Sequence, residues 1–458
     1  MQSPYLALYD QTVPLTDDQK RRLGLATAML LVTWPLWLHR RVELVAFEDH
    51  DVIRRSNSLD FTFPTRVLHL LEVDGSDTAN IAVPLAFFRK GTLVHFSLSA
   101  EGSATVPMLS TPQLSVLAEA ALLVTAEIAL STTVPQSVAA DITHVVRDKA
   151  RFDPQVSNFV GSAMDARRRL LLKTTAVEDD IAARTILSND EVFPSLVKAF
   201  STQFMAAVLL PVTADSRRVV HFAYDERFYD VTDGLLRGFR TFLRLVTGNR
   251  ARRVLILAPN ASDSASYHFE AEAPEGLQVS SRRAYIESAE MEVEERRTSF
   301  QRIHLHYSKL PRGSTLSVVL RLWPRSSTIV RAGTLAAILT VLGVGYVFYR
   351  ITEHADQSVQ DAAAILLVVP TLLSLYLVRS NEHPMTTHLL WPLRIIATAP
   401  GVLSFVAAGV MVGGFSKRLS LFALGTVIAL LLAGTSILGQ TWWRAARREH
   451  RRESRLSQ

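Results

Sequence analysis

Four long apolar stretches close this chain, and they restrict its possible folds more than any other feature. They run 329–349, 362–378, 395–413 and 419–438, each between 17 and 21 residues long. At 1.5 Å per helical residue, such lengths cross a hydrocarbon core of roughly 30 Å. None of the four contains Asp, Glu or Lys, and Arg331 lies near enough to one end to snorkel. Pro370 falls in the second and Pro400-Gly401 in the third, where a kink is expected. The pattern predicts a four-helix transmembrane bundle over 326–440.

Flanking charge sets the expected orientation. Arg321, Arg325, Arg331, Arg379 and Arg394 fall on one side, together with Arg444, Arg447, Arg448, Arg451, Arg452 and Arg455 of the tail. The other side holds only Arg350, Lys417 and Arg418, with Glu353, Asp356 and Asp361 nearby. Eleven against three places the large N-terminal region and the basic tail, 441–458, in the cytoplasm. Trp442-Trp443 followed by six arginines reads as an interfacial aromatic anchor and a polybasic contact with anionic headgroups. Each such Arg is worth about 1 kcal/mol close to the leaflet. Gly409-x-x-x-Gly413 permits close approach of helices, within the bundle or between protomers.

Composition matters because it is an average of two unlike parts. The chain is 48% hydrophobic and 20% charged, with the apolar excess gathered in its last third. A disordered chain is excluded, since that needs low hydrophobicity and high net charge. The net charge of +6 is largely the tail's, where Glu449 and Glu453 offset two of six arginines. It is therefore a topology signal, and no nucleic-acid partner is expected. Cysteine is absent, which excludes a disulfide framework, a thiol nucleophile, an iron–sulfur cluster and a Cys-ligated zinc.

Ahead of the apolar stretches the patterning predicts an α+β region. Residues 1–135 read as strand-rich: RVELVAF (41–47) and SLDFTF (58–63) alternate, and 83–88 and 93–98 flank a turn at Lys90-Gly91. A helix is expected from Pro112 to about Leu130, capped by Ser110 or Thr111. Residues 136–252 read as mainly helical, with a strand at 219–223 and an amphipathic helix at 233–246. Residues 253–325 alternate in short runs between turns and predict a membrane-proximal β-sandwich leading straight into the first apolar helix. The apolar run 23–38 contains Pro35 and is short for a span. It reads as a buried helix entering a strand, with a membrane-associated segment as the alternative.

Motifs for chemistry are sparse. The chain has no phosphate-binding G-x-x-x-x-G-K-[ST] loop, no G-x-G-x-x-G, no G-x-S-x-G elbow and no H-E-x-x-H. No cofactor, metal or catalytic residue is expected. His304 and His306 share a strand face and could meet a metal, but surface histidines are the plainer reading, with no third ligand indicated. Asp225, Glu226 and Asp230 could supply paired carboxylates from a loop, although a solvated loop before a helix cap explains them more simply. Arg167-Arg168-Arg169 reads as a salt-bridged or juxtamembrane helix face, and the acidic stretch 287–297 as a solvated loop or edge.

Segments SLDFTFP (58–64), VPLAFFRKGTL (83–93) and FEAEAPEGL (269–277) resemble those of poorly characterised polytopic membrane proteins of actinobacterial type. That resemblance implies a bacterial plasma-membrane location and carries no functional residue. The expected function is a membrane-anchored scaffold or sensor without enzymatic activity, partnered by another protein, by itself or by the lipid surface. The alternative is an oligomeric channel or transporter gated by the soluble region.

Overall fold

The computed structural model describes residues 15–71, 79–90, 94–100, 106–147, 178–213, 216–230, 252–286, 289–291, 294–297, 301–308, 310–311, 314–324, 328–353, 372, 383–412 and 417–456. The protein is mixed α/β with several sheets, and its last described elements are long helices.

Helix α1 (Asp17–Val32) starts at a capping box in which Thr16 and Gln19 satisfy each other's backbone N–H groups. Leu23, Ala26 and Leu30 are fully buried. A short turn, α2 (Trp34–Trp37), then delivers the chain into β1 (Leu38–Phe47). The apolar run 23–38 is thus a buried helix entering a strand. Helix α4 (Thr111–Leu130) begins at a second capping box, Ser110 with Gln113, and has Pro112 in its first turn. The two helices cross at Gly24, where a Cβ would stand 2.4 Å from the Ala120 carbonyl oxygen. Only glycine allows that approach.

Seven strands form the largest sheet, in the order β12-β13-β9-β1-β2-β6-β4. These are β12 (Glu294–Arg297), β13 (Arg302–Ser308), β9 (Ser266–Glu272), β1, β2 (Val52–Thr62), β6 (Arg217–Arg227) and β4 (Val94–Ala100). Only the β1–β9 pairing is parallel, and it ties the N-terminal strands to those of the 253–325 segment. A five-stranded sheet runs β11 (Ala289–Met291), β10 (Leu277–Ile286), β14 (Leu316–Pro324), β8 (Arg252–Ala258) and β7 (Tyr229–Asp230). A third sheet pairs β3 (Ala79–Arg89) with β5 (Gln203–Val212).

Two apolar cores result. One joins Leu59, Phe61 and Phe222 of the large sheet to β3, β5 and the helices, including α1, α3 (Thr65–Leu70), α4, α5 (Gln136–Arg147), α6 (Glu178–Asn189) and α7 (Phe193–Thr202). The other packs Val45, Phe269 and Leu305 against Ile256, Val318 and Leu320 of the five-stranded sheet. Residues 203–212 fall in a segment read as mainly helical but form β5. The run QFMAAVLLPV is buried from Met205 to Leu210, and a strand covered on both faces loses the alternation that would identify it. The helix expected at 233–246 and the Arg167–Arg169 triplet lie outside the described residues.

Strand β14 ends at Pro324 and α8 (Thr328–Glu353) follows, with α9 (Pro384–Val412) and α10 (Lys417–Leu456) completing the described chain. These three helices pack on one another around Val344, Ala407, Leu424, Val427 and Leu431. The stretch 362–378 lies outside the described residues apart from Leu372. Among the described residues, only Thr111–Leu130 and Arg418–Ile437 are long and apolar enough to cross a membrane, while Thr334–Tyr346 and Ala397–Ala407 are shorter. The first of the long pair is α4, whose Leu117, Ala121 and Leu122 are fully buried in protein. A four-helix transmembrane bundle is therefore not supported, and the coarser mixed α/β architecture stands. The first turns of α9 also pack against the second core, through Met385 and Leu389.

Candidate functional site

Between the two cores the large sheet carries charge inward. Its inner positions on β1 are Arg41, Glu43, Val45 and Phe47, and on β2 they are Ile53, Arg55, Asn57, Leu59 and Phe61. The Arg55 guanidinium, almost wholly enclosed, donates from Nε to Glu43 Oε1 at 2.7 Å and from Nη1 to Glu226 Oε2 at 2.7 Å. Its Nη2 donates to the Leu257 carbonyl at the end of β8. Tyr267 donates to the other Glu43 oxygen at 2.7 Å. Burial opposes the Arg55 charge, but the Glu43 and Glu226 carboxylates more than offset it and hold the group protonated. Burial also pushes the Tyr224 and Tyr267 hydroxyls well up, with Glu43 adding to the effect at both, so they remain neutral; Tyr267 donates to Glu43 and Tyr224 accepts from Arg55 Nη1 at 3.4 Å.

Arg41 stitches the layers together one step along the strand. It donates to Asn57 Oδ1 at 3.3 Å, to the Leu85 carbonyl of β3 at 3.3 Å and to the Asn260 carbonyl at 3.1 Å. Asn260 in turn exchanges two hydrogen bonds with the Phe87 backbone, at 3.0 and 3.1 Å, mimicking a strand neighbour. The buried polar groups of this seam are paired with one another or with backbone carbonyls, as suits a device that fixes strand register.

The carboxylates considered for acid–base work belong to the same construction. Asp225 and Glu226 lie within β6, opposite Arg54 and Ile53 of β2, and not in a loop. Asp225 accepts from Arg54 Nη1 at 3.3 Å and faces His95 Nδ1 at 2.5 Å. Glu226 is taken by Arg55. Asp230 lies on β7, paired with Val254 of β8. With both described carboxylates committed to cations, no paired acid and base is presented.

On the outer face of the sheet lies a row of histidines. His304 and His306 project from β13 on the side away from Ile303, Leu305 and Tyr307, which are buried in the sandwich core. The antiparallel β9 sets His268 directly opposite His306. His268 Nδ1 lies 2.9 Å from His304 Nε2, and its ring stacks at 4.6 Å on that of His306. The Ser266 hydroxyl bridges His268 Nε2 at 3.0 Å and His306 Nε2 at 3.2 Å. Partial burial, then Arg40 and the two neighbouring imidazoles, depress His268 to about 4. A third histidine is therefore present; cross-strand register, invisible in a single sequence, supplies it. Among the described residues, the acidic and histidine ligand atoms that already lie within 4.8 Å of one another in a group of three are those of Asp49, His50 and Asp51, in the tight β1–β2 connection.

The C-terminal helices hold the remaining candidates. Gly409 is exposed, and a Cβ there would meet nothing within 4 Å, so no described helix of the same chain approaches it; Gly413 lies outside the described residues. Helix α10 continues without interruption through Trp442, Trp443, Arg444, Arg447, Arg448, Arg451, Arg452 and Arg455. Trp443 is exposed. The arginine positions recur at three- and four-residue steps and so share one strip of the helix. At the other end of the helical unit, Thr386 of α9 donates to the Glu275 carbonyl at 2.8 Å. Gly276 has φ of +83°, and a Cβ there would stand 3.0 Å from Thr386 Cγ2.

No protein-family model matches the chain, and the curated proteins contain no significant match to it.

Proposed function

We propose that this protein is a membrane-anchored scaffold or sensor: a layered α/β region, held at the bilayer by the C-terminal helices, presents its sheets to a protein partner. The observation carrying this reading is the inverted surface of α8–α10. Leu342, Val402, Phe405, Phe422 and Leu430 are exposed, while Thr340 and Ser404 are fully buried and donate to their own helix carbonyls. A surface of that kind suits lipid, where every polar group must be satisfied internally. Trp442, Trp443 and the arginine strip then serve as the interfacial anchor against anionic headgroups, and Gly409 with Gly413 offers a face for self-association. The docking of Thr386 on the Glu275-Gly276 turn gives a direct path from sheet to helix. The Val344, Ala407, Leu424, Val427 and Leu431 cluster fills the described helix contacts with apolar groups, which disfavours the channel alternative.

The chain has no cysteine, so single introduced thiols are unique probes. Asp17→Cys should react with a membrane-impermeant maleimide in inverted vesicles and stay protected in right-side-out ones. Phe422→Cys should resist the reagent in both. Ready labelling at Phe422→Cys from water would remove the anchor reading. Labelling of Asp17→Cys only in right-side-out vesicles would reverse the cytoplasmic placement.

A further inference from the structure

We propose that His268, His304 and His306 form a binding site for a transition-metal dication of zinc type on the outer face of the large sheet. The inference goes beyond the membrane reading and does not depend on it. Two-residue spacing on β13 sends His304 and His306 to one face, and the β9 register brings His268 beside them. Imidazole nitrogens bound to one tetrahedral ion at about 2.0–2.1 Å lie about 3.3 Å apart. His268 Nδ1 and His304 Nε2, at 2.9 Å, already stand close to that separation. The Ser266 hydroxyl contacts the opposite nitrogen of His268, a hydrogen bond of the kind that orients a metal-bound imidazole from behind. His306, whose Nε2 lies 3.2 Å from the Ser266 hydroxyl, would have to rotate its ring to complete the set.

The surroundings fit a cation with borderline-soft preference. A set of three imidazoles disfavours Ca2+ and Mg2+, which select oxygen ligands. Glu270, opposite His304 in register and bound to Arg302 at 2.5 Å, lies on the same face and balances charge. Arg40, opposite Ser266, and Arg296, paired with His304 in register, are cations that the bound ion must tolerate.

Untagged full-length protein in detergent, stripped with chelator, should be titrated with Co2+ and followed by visible absorption. One equivalent should produce tetrahedral d–d bands, and one equivalent of Zn2+ should bleach them. His268→Ala and His304→Gln should each abolish the bands, and Ser266→Ala should weaken Co2+ binding by about 10-fold. His50→Ala, which removes the imidazole of the Asp49–Asp51 group, should leave them unchanged. Absence of saturable tetrahedral bands in the wild-type protein overturns the proposal, as does their survival in folded His268→Ala protein. Thermal melting of each variant establishes that it is folded.

Discussion

In the layered region, Phe61, Phe63 and Phe269 are fully buried and the charged residues that join them inside, Arg41, Glu43 and Arg55, are all bonded. In the C-terminal helices, Leu342, Phe405 and Phe422 face outward while threonine and serine lie within. Helix length and apolarity do not separate these cases, since α4 and the 418–437 segment of α10 both pass that test. What distinguishes them is where the apolar surface goes. Helix α4 spends it on protein, whereas α10 leaves most of it outside. Inward charge in one region and outward oil in the other are each tolerable only in their own surroundings.

The largest break in this contrast should come at the seam. Arg55→Leu leaves Glu43 and Glu226 without their cation, and denaturant unfolding should report a loss of about 3–5 kcal/mol. Next comes a matched pair at similar exposure. Leu430→Lys, midway along the apolar part of α10, should reduce membrane insertion by about 2.5–3.5 kcal/mol, while Ile186→Lys on α6 should be nearly neutral to stability. Equal effects in a translocation assay and a melting curve would dissolve the distinction between the regions.

Two glycines sharpen it further. Gly24→Ala forces a methyl into the Ala120 carbonyl and should cost about 1–3 kcal/mol, whereas Gly409→Ala enters open space and should leave folding unaltered. The smallest effect belongs to Asp60, whose carboxyl is held below its ordinary range chiefly by the Arg217 hydrogen bond. A depressed carboxylate contributes stability above its unfolded value and loses it as pH falls through the folded one. Asp60→Asn should therefore slightly flatten the decline in urea midpoint below about pH 4. Exposure of Arg217 keeps this effect minor.

Much of the local structure was legible from residue pattern. Ser110 with Pro112 marks the start of α4, and alternation locates β1 and β2. The face they bury was not legible, because RVELVAF offers Val42 and Leu44 on one side and Arg41, Glu43, Val45 and Phe47 on the other. The charged side wins because Arg55 and Asn57 meet it from the next strand, a compensation visible only after pairing. The same holds for Asp225 and Glu226, which become strand residues through their register with β2, and for His268, whose pairing with His306 spans β10, β11 and β12. Pairing across the chain carries information that local periodicity lacks.

Helix α10 runs unbroken for 40 residues, which is about 60 Å. If the helix stands upright, Arg444 lies about 9 Å beyond Leu438 and Arg455 about 25 Å beyond it. The field of a charged leaflet decays over about 8 Å at physiological salt. Were the helix to anchor as proposed, the first turn of the arginine positions would fall within the leaflet's field and the last turns beyond it. A tilt that lays the helix down would convert the whole strip to lipid contact. The salt dependence of membrane binding, compared between Arg444→Gln and Arg455→Gln, would thus measure the angle of the strut.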